Sequence, residues 1–340
     1  MGRPQKICAR APTRARAMRR DVTLHAEIAH ARHTLEQAGI DRVEAAIDAD
    51  LLARTVLGWD RARLLSSLTE PAPPGFQDAY DALIGRRCRH EPAAYIVGQR
   101  EFWRRDFEVG PGVLVPRPET EIIIEEALGR LAHRGVASVP GTGRPPLRIA
   151  DVGTGSGCLA VTLAIELQGA SLVATDTSRA ALRIAGRNAA RYDVTDRIDF
   201  LETDLLAEAD ARFDLIVSNP PYVPASDMAQ LPSDVRDYEP REALLGGEDG
   251  LDVIRHLLLQ CESRLHEDGL LIFEFGFGQE TAVSRAITAR PVFRLDTIRR
   301  DLQGIPRTAV VRWQPGHEAP GRGNQRLGLG ATDSEARDQR

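Results

Sequence analysis

Hydrophobic residues between positions 22 and 91 recur at steps of three and four, which is the period of an amphipathic α-helix. Two such series are Leu24, Ile28, Ala31 and Leu35, and then Val43, Ile47, Leu51 and Val56. Gly39 and Gly58 are typical helix ends, and Asp60 is a typical N-cap. The pattern predicts a small all-helical domain over residues 21–91.

The pattern changes between residues 92 and 116, where apolar and charged side chains alternate as they do along a β-strand. Phe107 and Val109 alternate with Asp106 and Glu108, and a Gly-Pro-Gly sequence at 110–112 then precedes a second apolar run. This combination predicts a β-hairpin that links the helical domain to the rest of the chain.

From residue 147 onward, apolar runs of strand length alternate with helical patterns. The predicted strands are 147–152, 171–175, 198–201, 213–217, 270–275, 292–298 and 308–313. Strands that alternate with helices form a largely parallel sheet with helices on both faces. The predicted fold class is therefore α/β, with a doubly wound, mostly parallel, Rossmann-like sheet of seven strands in a domain over residues 117–315.

The chain ends and one internal segment lack this periodicity. Residues 1–20 carry seven arginine and lysine residues and no acid, which is typical of an organelle transit peptide or of a disordered basic extension. The near absence of hydroxyl residues favours the disordered extension. Glycine and proline predict a flexible loop over 135–146, and the polar composition of 316–340 predicts a disordered tail.

Composition narrows the class of protein. The chain has 340 residues, of which 42% are hydrophobic and 27% charged, so it is long enough for two globular domains. A net charge of -5 gives no overall attraction for nucleic acid, so none is expected as a direct partner. The four scattered cysteines indicate reduced thiols in a cytoplasm and no metal site. No apolar run reaches the length of a membrane span, so no membrane is expected either.

The most informative stretch of the sequence is Asn219-Pro220-Pro221-Tyr222, which directly follows a buried apolar strand. The prolines lack backbone N–H donors and restrict both themselves and the residue before them, so a stiff loop begins at Asn219. An ordinary turn after a strand has the same appearance. The loop is nevertheless suited to hold a flat hydrogen-bonding group, because the Asn219 side-chain oxygen and the Pro220 carbonyl can each accept an N–H.

A glycine-rich loop, Gly153-Thr154-Gly155-Ser156-Gly157, follows the first predicted strand of the sheet and opens a helix. Asp176 ends the next strand, where a ribose-binding acid belongs in a dinucleotide site. The glycines stand at alternate positions, G-x-G-x-G, and not in the G-x-G-x-x-G spacing of the dinucleotide fingerprint. In addition, Asp151 would bring a carboxylate close to a pyrophosphate. S-adenosylmethionine, which carries a positive charge, fits better.

Asp204 and Leu205 follow the third predicted strand of the sheet. The Asp204 carboxylate can accept from an adenine amino group or can cap a helix. Because the carboxyl ends of parallel strands meet at one edge, the glycine loop, Asp176, Asp204 and Asn219 are predicted to share one cleft.

These residues resemble the class I S-adenosylmethionine-dependent methyltransferases that act on planar nitrogens. Further segments narrow the family, namely Glu91-Pro-Ala-Ala-Tyr95-Ile-Val-Gly98-Gln-Arg-Glu101-Phe102, Arg117-Pro-Glu-Thr120 and Leu244-Leu-Gly246-Gly247-Glu-Asp249-Gly250-Leu-Asp252. Together they are similar to the peptide chain release factor glutamine methyltransferases over roughly residues 22–313. Leu205 departs from the aromatic residue that often follows the acid in relatives, so an adenine contact there is less secure.

The resemblance implies a cytoplasmic, monomeric enzyme that uses S-adenosyl-L-methionine to methylate the N5 amide nitrogen of the glutamine in the Gly-Gly-Gln loop of release factors. The implied cofactor-binding residues are Gly153, Thr154, Gly155, Ser156, Gly157, Asp176, Asp204, Leu205 and Asn219. Asn219, Pro220 and Tyr222 are the implied catalytic residues, and Pro221 joins them in substrate binding. The helical domain is expected to dock the protein substrate.

Two other functions remain open at this stage. An adenine-N6 methyltransferase acting on DNA or RNA would share the Asn219 loop, and the arginines at 86, 87, 89, 104 and 105 are its candidate basic face. A catalytically idle module that binds the cofactor only for folding would not need the acceptor pair at Asn219 and Pro220.

Overall fold

The computed structural model describes residues 22–133 and 147–314. The predicted extension at 1–20, the predicted flexible loop at 135–146 and the predicted tail at 316–340 lie outside these residues. The chain divides into two compact units. The described part of the first unit comprises 22–99, Val109–Pro111 and Leu231–Tyr238, and that of the second comprises Arg100–Glu108, 112–133, 147–230 and 239–314.

The described residues form helices and strands in the following order. The helices are α1 (Leu24–Gln37), α2 (Arg42–Leu57), α3 (Arg61–Ser66), α4 (Phe76–Arg87), α5 (Ala93–Val97), α6 (Glu121–His133), α7 (Cys158–Glu166), α8 (Arg179–Arg191), α9 (Ser233–Tyr238), α10 (Asp252–Arg264) and α11 (Glu280–Thr288). The strands are β1 (Gln99–Phe102), β2 (Arg105–Glu108), β3 (Arg148–Val152), β4 (Ser171–Asp176), β5 (Ile198–Glu202), β6 (Phe213–Ser218), β7 (Leu265–Glu274), β8 (Phe293–Arg300) and β9 (Pro306–Trp313).

The first unit is helical, as the sequence predicts. Three of its helices begin with side-chain caps, because the hydroxyl of Thr23 and the carboxylates of Asp41 and Asp60 accept hydrogen bonds from the first free backbone amides of α1, α2 and α3. Gly58 ends α2 in the left-handed conformation, with φ of 64°. The signals that begin and end these helices are therefore local to the sequence.

The buried face of α2 differs from the predicted one. Val43 and Ile47 are 68% and 61% exposed, and the core side is formed by Ala45, Ala49 and Leu52. Small alanine side chains let α2 pack closely, and the buried face also carries Asp48. A pattern that counts only large apolar residues selects the wrong face when alanine and a paired acid form the real one.

Asp48 is buried because it belongs to an ion cluster. The Arg87 guanidinium, itself buried, donates from Nε to Asp48 Oδ2 at 2.6 Å and from NH2 to Glu44 Oε1 at 2.6 Å. Removing one member of such a cluster leaves an unpaired buried charge, at a cost of about 3–5 kcal/mol. The cluster therefore fixes α4 against α2.

A two-stranded sheet, β1 with β2, confirms the predicted hairpin. Its turn is Trp103-Arg104, where both residues have positive φ, 51° and 58°. Positive φ at two central residues is the geometry of a tight hairpin turn. The turn thus lies upstream of the Gly-Pro-Gly sequence at 110–112. The sequence pattern did not locate it, because neither Trp103 nor Arg104 is a residue type that signals a tight turn.

The second unit contains one seven-stranded sheet in the order β5-β4-β3-β6-β7-β9-β8. Strands β3 to β7 pair in parallel, and β9 is antiparallel to both of its neighbours. Residues from α6, α7 and α8 belong to one buried cluster, and residues from α10 and α11 belong to a second. The predicted doubly wound, mostly parallel sheet is confirmed.

The strand order brings the predicted site residues to one edge of the sheet, at the carboxyl ends of the parallel strands. Strand β3 lies at the centre of the sheet between β4 and β6, and the chain order changes direction at this point. Ligands bind in open α/β sheets beside the carboxyl ends of the strands at such a change. Among the described residues, no helix is both long and apolar enough to cross a membrane.

Candidate active site

The glycine-rich loop is held to the neighbouring strand by its backbone. The amides of Gly153 and Thr154 both donate to the Thr175 carbonyl, at 2.9 and 2.8 Å. Gly153 and Gly155 have positive φ, 72° and 55°, and no atom lies within 4 Å of the place where either would carry a Cβ. The loop therefore presents bare backbone to open space, as a loop that a ligand approaches closely must do.

Asp176 is fixed as an acceptor at the end of β4. Its Oδ2 accepts from the Gly155 amide at 2.9 Å, and its Oδ1 accepts from the Ser178 amide at 2.8 Å. Burial raises the pKa of this carboxyl, and the amide bonds partly offset the rise. The carboxylate joins the glycine loop to β4 and retains lone pairs for a ligand hydroxyl.

Asp151 lies beneath the loop and not beside the ligand space. Its buried carboxylate accepts from the Thr154 hydroxyl at 2.6 Å and from the Ala160 amide at 3.0 Å through one oxygen, and its other oxygen has no partner among the described residues. Burial raises its pKa from 3.8 to about 7. The expectation that this carboxylate faces the cofactor is therefore replaced by a structural role, because it fixes the turn from β3 into α7.

Gly157 also acts through packing. A Cβ at Gly157 would lie 2.9 Å from the Cβ of Ala185, which is closer than side-chain carbons approach. Its φ of 80° is that of a left-handed residue, and it precedes the first residue of α7. Glycine is required here for the contact between α7 and α8.

A cavity of about 490 Å³ opens beside these residues, within the second unit. Of the predicted cofactor residues it is lined by Gly153, Thr154, Gly155, Ser156, Asp176, Asp204, Leu205 and Asn219. Gly157 does not belong to the lining. The volume is within the range of sites for small molecules, which is roughly 300–1,000 Å³.

The charge of the lining distinguishes between the two cofactors that the sequence leaves open. The lining includes the carboxylates of Asp176, Asp204 and Glu242, and among the described residues no lysine or arginine contributes to it. A dinucleotide would place its pyrophosphate in an anionic cavity with no cation to pair with it, whereas a sulfonium cation is attracted there. The residues present therefore fit S-adenosylmethionine.

Leu205 is a half-buried residue of the cavity lining. It has a positive φ of 52° and also packs against the buried cluster under α10. Its neighbour Asp204 lines the cavity with an exposed carboxylate. An acid and an apolar side chain thus stand together at one end of the cavity.

Asn219 reaches the opposite part of the cavity from the end of β6. Its Nδ2 donates to the Thr120 hydroxyl at 3.0 Å, and the Thr120 hydroxyl donates to Glu274 Oε2 at 2.7 Å. The Tyr222 hydroxyl donates to the other oxygen of Glu274 at 2.9 Å. Asn219, Thr120, Glu274 and Tyr222 thus form one hydrogen-bonded chain, and Asn219 Oδ1 has no partner among the described residues.

The backbone of the Asn219 loop is supported from behind. The Gln279 side chain donates to the Tyr222 carbonyl at 2.9 Å and accepts from the Gly276 amide at 2.8 Å. A Cβ at Gly246 would lie 2.8 Å from the Pro221 carbonyl, and a Cβ at Gly250 would lie 2.4 Å from the Tyr222 carbonyl. The segment that contains these glycines therefore needs them in order to lie directly against the loop.

Models of two protein families match the chain. The PrmC N-terminal domain matches residues 28–98, and the methyltransferase small domain matches residues 143–231. The release factor glutamine methyltransferase of Koribacter versatilis is 40% identical over 82% of this chain and 98% of its own length. That of Cereibacter sphaeroides is also 40% identical, over 82% of this chain and 94% of its own length.

The chain belongs to the release factor glutamine methyltransferase family. The family resemblance inferred from the motifs is thereby confirmed. A crystal structure of ribosomal protein L11 methylase from Lactobacillus delbrueckii subsp. bulgaricus is similar over 58% of this chain and 80% of that one, with 28% identity and a TM-score of 0.41.

The proline-aromatic part of the family loop is divided between cavity and core. Pro221 lines the cavity, whereas Pro220 is buried and Tyr222 packs against the cluster under α10, so neither belongs to the lining. Burial and the neighbouring Glu274 raise the pKa of the Tyr222 hydroxyl. In this family member Tyr222 therefore donates to Glu274 as a neutral phenol.

Two aromatic residues of the hairpin lie away from the cavity. Phe102 is buried in edge-to-face contact with Phe107, with ring centroids 6.1 Å apart. The Trp103 indole donates to Glu166 at 3.2 Å. Both side chains support the hairpin, and neither lines the cavity.

Thr120, Glu274 and Gln279 are the site residues that the motif argument missed. Thr120 ends one of the family segments but has no role assigned by pattern, and Gln279 carries no local signal. Glu274 does, because it is a single acid at the end of the otherwise apolar run Leu270-Leu-Ile-Phe273 of β7. A buried acid at the carboxyl end of a central strand is a candidate functional residue.

The arginines of the alternative nucleic-acid face are largely paired. Arg86 binds Glu91 at 2.5 Å, Arg87 is buried in its ion cluster, and Arg105 binds Glu166 at 2.9 Å. In the described parts of the chain, no group of three or more histidine, cysteine or acidic side chains could hold a metal ion.

Proposed function

We propose that this chain transfers a methyl group from S-adenosylmethionine to the N5 amide nitrogen of the glutamine in the Gly-Gly-Gln loop of peptide chain release factors. The observation that carries the proposal is Asn219, whose Nδ2 is held by Thr120 while its Oδ1 has no partner in the described part of the chain, in a cavity whose charge suits a sulfonium. Membership of the release factor glutamine methyltransferase family supplies the substrate class.

The chemical difficulty lies in the substrate nitrogen. An amide lone pair is delocalised into the carbonyl, so the nitrogen is a weak nucleophile until it is held in line with the electrophile. We propose that Asn219 Oδ1 accepts one N–H of the substrate amide, and that the backbone carbonyl of Pro220, a buried residue outside the cavity lining, accepts the other. These bonds strengthen as positive charge develops on the nitrogen, which stabilises the transition state more than the ground state.

S-adenosylmethionine, when bound, supplies an electrophilic methyl group on a sulfonium sulfur. The residues that would hold it are the loop backbone at Gly153–Gly155, the Asp176 carboxylate for the ribose and Asp204 with Leu205 for the adenine. These assignments follow from the lining of the cavity and from the two amide bonds that fix Asp176.

The reaction forms one N–C bond and breaks one C–S bond, and the electron pair of the broken bond stays on sulfur. The methylated nitrogen then loses one proton to solvent, so no strong base is needed in the displacement itself. Asn219 and Pro220 thus act as acceptors that orient the amide, and Tyr222 fixes the loop through Glu274.

The proposal is tested with labelled S-adenosylmethionine and four substrates in parallel, namely a release factor, its Gly-Gly-Ala variant, DNA and tRNA. We expect label only in the intact release factor, with the label on glutamine. Transfer to either nucleic acid without transfer to protein would instead support the adenine methyltransferase. Cofactor binding without transfer to any substrate would support the idle module.

The helical domain over residues 21–91 is proposed to dock the protein substrate, and the hairpin over 92–116 is proposed to link it to the methyltransferase domain. In the helical domain, the exposed Val43 and Ile47 lie one turn apart on α2 and provide an apolar contact. Replacing both with serine should raise KM for the release factor about tenfold, or about 1.4 kcal/mol, and leave kcat unchanged. Leu259→Ser, at a 52% exposed position in α10, is the matched control. An unchanged KM in the double variant would refute this docking face.

The remaining expectations concern the state of the protein. We propose that it acts as a monomer in the cytoplasm and needs no nucleic-acid partner. The free thiols of Cys88, Cys158 and Cys261 agree with a reducing compartment such as the cytoplasm. Light scattering of the full chain with and without a release factor tests the first point, since it distinguishes one copy from two.

A further inference from the structure

We propose that Thr120 and Glu274 are positioning residues, which fix the Asn219 side-chain amide so that its oxygen and not its nitrogen faces the substrate. The inference rests on the proposed function, because it explains how the acceptor of that reaction is oriented. It assigns a role to two residues that contact the loop and not the reacting atoms.

Glu274 is the fixed end of this chain of hydrogen bonds. It is 1% exposed at the end of β7, a central strand, so its position is set by the sheet. Burial raises the pKa of Glu274, and the hydrogen bonds that it accepts from Tyr222 at 2.9 Å and from Thr120 at 2.7 Å partly offset the rise. In the ionised form that these bonds favour, the carboxylate can only accept hydrogen bonds. Both neighbouring hydroxyls must therefore point their protons at it.

The direction of the bond from Thr120 to Glu274 also fixes the direction of the bond between Thr120 and Asn219. A hydroxyl has one proton, and that of Thr120 is used in the bond to Glu274. Towards Asn219, at 3.0 Å, Thr120 can then only accept. The Asn219 amide must present its Nδ2 to Thr120, and its Oδ1 is directed to the other side.

The opposite orientation of Asn219 is disfavoured by the same bonds. If the amide were flipped, Oδ1 would face a lone pair of Thr120, unless Thr120 withdrew its proton from Glu274 and left a buried carboxylate oxygen without that donor. A flipped Asn219 would also present N–H groups to the substrate amide, and two donors repel. The substrate would then be held in the wrong position or not at all.

The test compares Thr120→Val, which keeps the shape but removes the hydroxyl, with Thr120→Ser, which keeps the hydroxyl. Single-turnover methylation of a release factor at saturating cofactor should fall about 10- to 100-fold in the valine variant. The serine variant should regain most of the rate. Calorimetry should give the same affinity for S-adenosylhomocysteine, within about twofold, in all three proteins.

A second mutant background, Asn219→Asp, distinguishes the orientation of the residue 219 side chain from the packing around Thr120. Asn219→Asp presents an oxygen whichever way it is turned, so it needs no polarity from Thr120. In this background Thr120→Val still removes a donor from Glu274, and yet we expect it to lower the rate no more than about threefold. A double-mutant cycle should therefore show strong coupling between positions 120 and 219.

Three outcomes would overturn the inference. They are a Thr120→Val rate within twofold of the wild type, an equal loss in Thr120→Ser, and an equal loss from Thr120→Val in both Asn219 backgrounds. Failure of the proposed function looks different, because the wild-type protein itself would then transfer no methyl group to the release factor.

Discussion

The two loops at the carboxyl edge of the sheet are built in opposite ways. The glycine loop at Gly153–Gly157 is held by backbone bonds to the adjacent strand and presents bare backbone to the cavity. The Asn219 loop is held by two side chains, the buried Glu274 and the half-buried Gln279, and presents a side chain. The glycine loop leaves space for a ligand, and the Asn219 loop presents an oriented hydrogen-bonding group.

This difference separates binding from catalysis. A cofactor that is long and flexible is held by many weak contacts along an open backbone, so no single glycine carries its chemistry. A single amide group must be held in one orientation, which requires a rigid acceptor whose own partners are fixed. We therefore expect changes in the first loop to alter affinity and changes in the second to alter rate.

The largest expected effect is that of Asn219→Ala. Loss of the oriented acceptor should lower the single-turnover rate by about a hundredfold to a thousandfold, as for other positioned hydrogen-bonding groups. Cofactor affinity, measured by calorimetry, should change far less. An equal loss of affinity and rate would place Asn219 in the cofactor site and end the contrast between the loops.

Asp176→Ala should show the reverse pattern. It removes a half-buried acceptor that ties the glycine loop to β4, so affinity for S-adenosylmethionine should fall about tenfold to a hundredfold, or roughly 1.5–3 kcal/mol. At saturating cofactor the methyl-transfer rate should recover most of the wild-type value. A rate that stays low at saturation would show that Asp176 also positions the reacting groups.

The last expected effect is on stability and not on binding or rate, and it concerns Asp151, beneath the glycine loop. Its pKa rises from 3.8 to about 7 in the folded protein, so the folded state keeps a proton that the unfolded state releases. The stability that this residue contributes is thus present below pH 4 and is lost as pH rises to about 7, by at most about 1.4 kcal/mol per pH unit.

Asp151→Asn removes this titration. Denaturant unfolding of the cofactor-free protein between pH 4 and 7 should therefore show a free energy of unfolding that declines less steeply with pH in the variant than in the wild type. Parallel curves for the two proteins would mean that the pKa of Asp151 is not raised.

Most of the fold was predictable because its signals are local. Apolar runs of strand length between helical patterns predict the strands of the large sheet to within a few residues of where they lie. The face of α2 was not predictable in this way, because its core residues are alanines and Asp48, whose burial depends on Arg87 in another helix. The hairpin turn at Trp103-Arg104 lacks the usual turn residues as well.

The same distinction between local signals and contacts of distant residues applies to the site. The glycine loop, Asp176 and the Asn219 loop carry their signals in adjacent residues, and the parallel sheet brings them to one edge. The orientation of Asn219 depends on Thr120, 99 positions away in the sequence, and on the bond from Thr120 to Glu274, which joins residues 154 positions apart. Contacts at such separations arise only from the folded strand order, so no local pattern could predict them.

The central claim is that Asn219 acts as an oriented hydrogen-bond acceptor for the substrate amide. It is tested most directly by single-turnover methylation of a release factor at saturating cofactor with the wild type, Asn219→Asp and Asn219→Ala. Asp keeps an acceptor of nearly the same size, so we expect Asn219→Asp to retain more activity than Asn219→Ala and the wild type to be fastest. An Asn219→Ala protein as active as the wild type would contradict it.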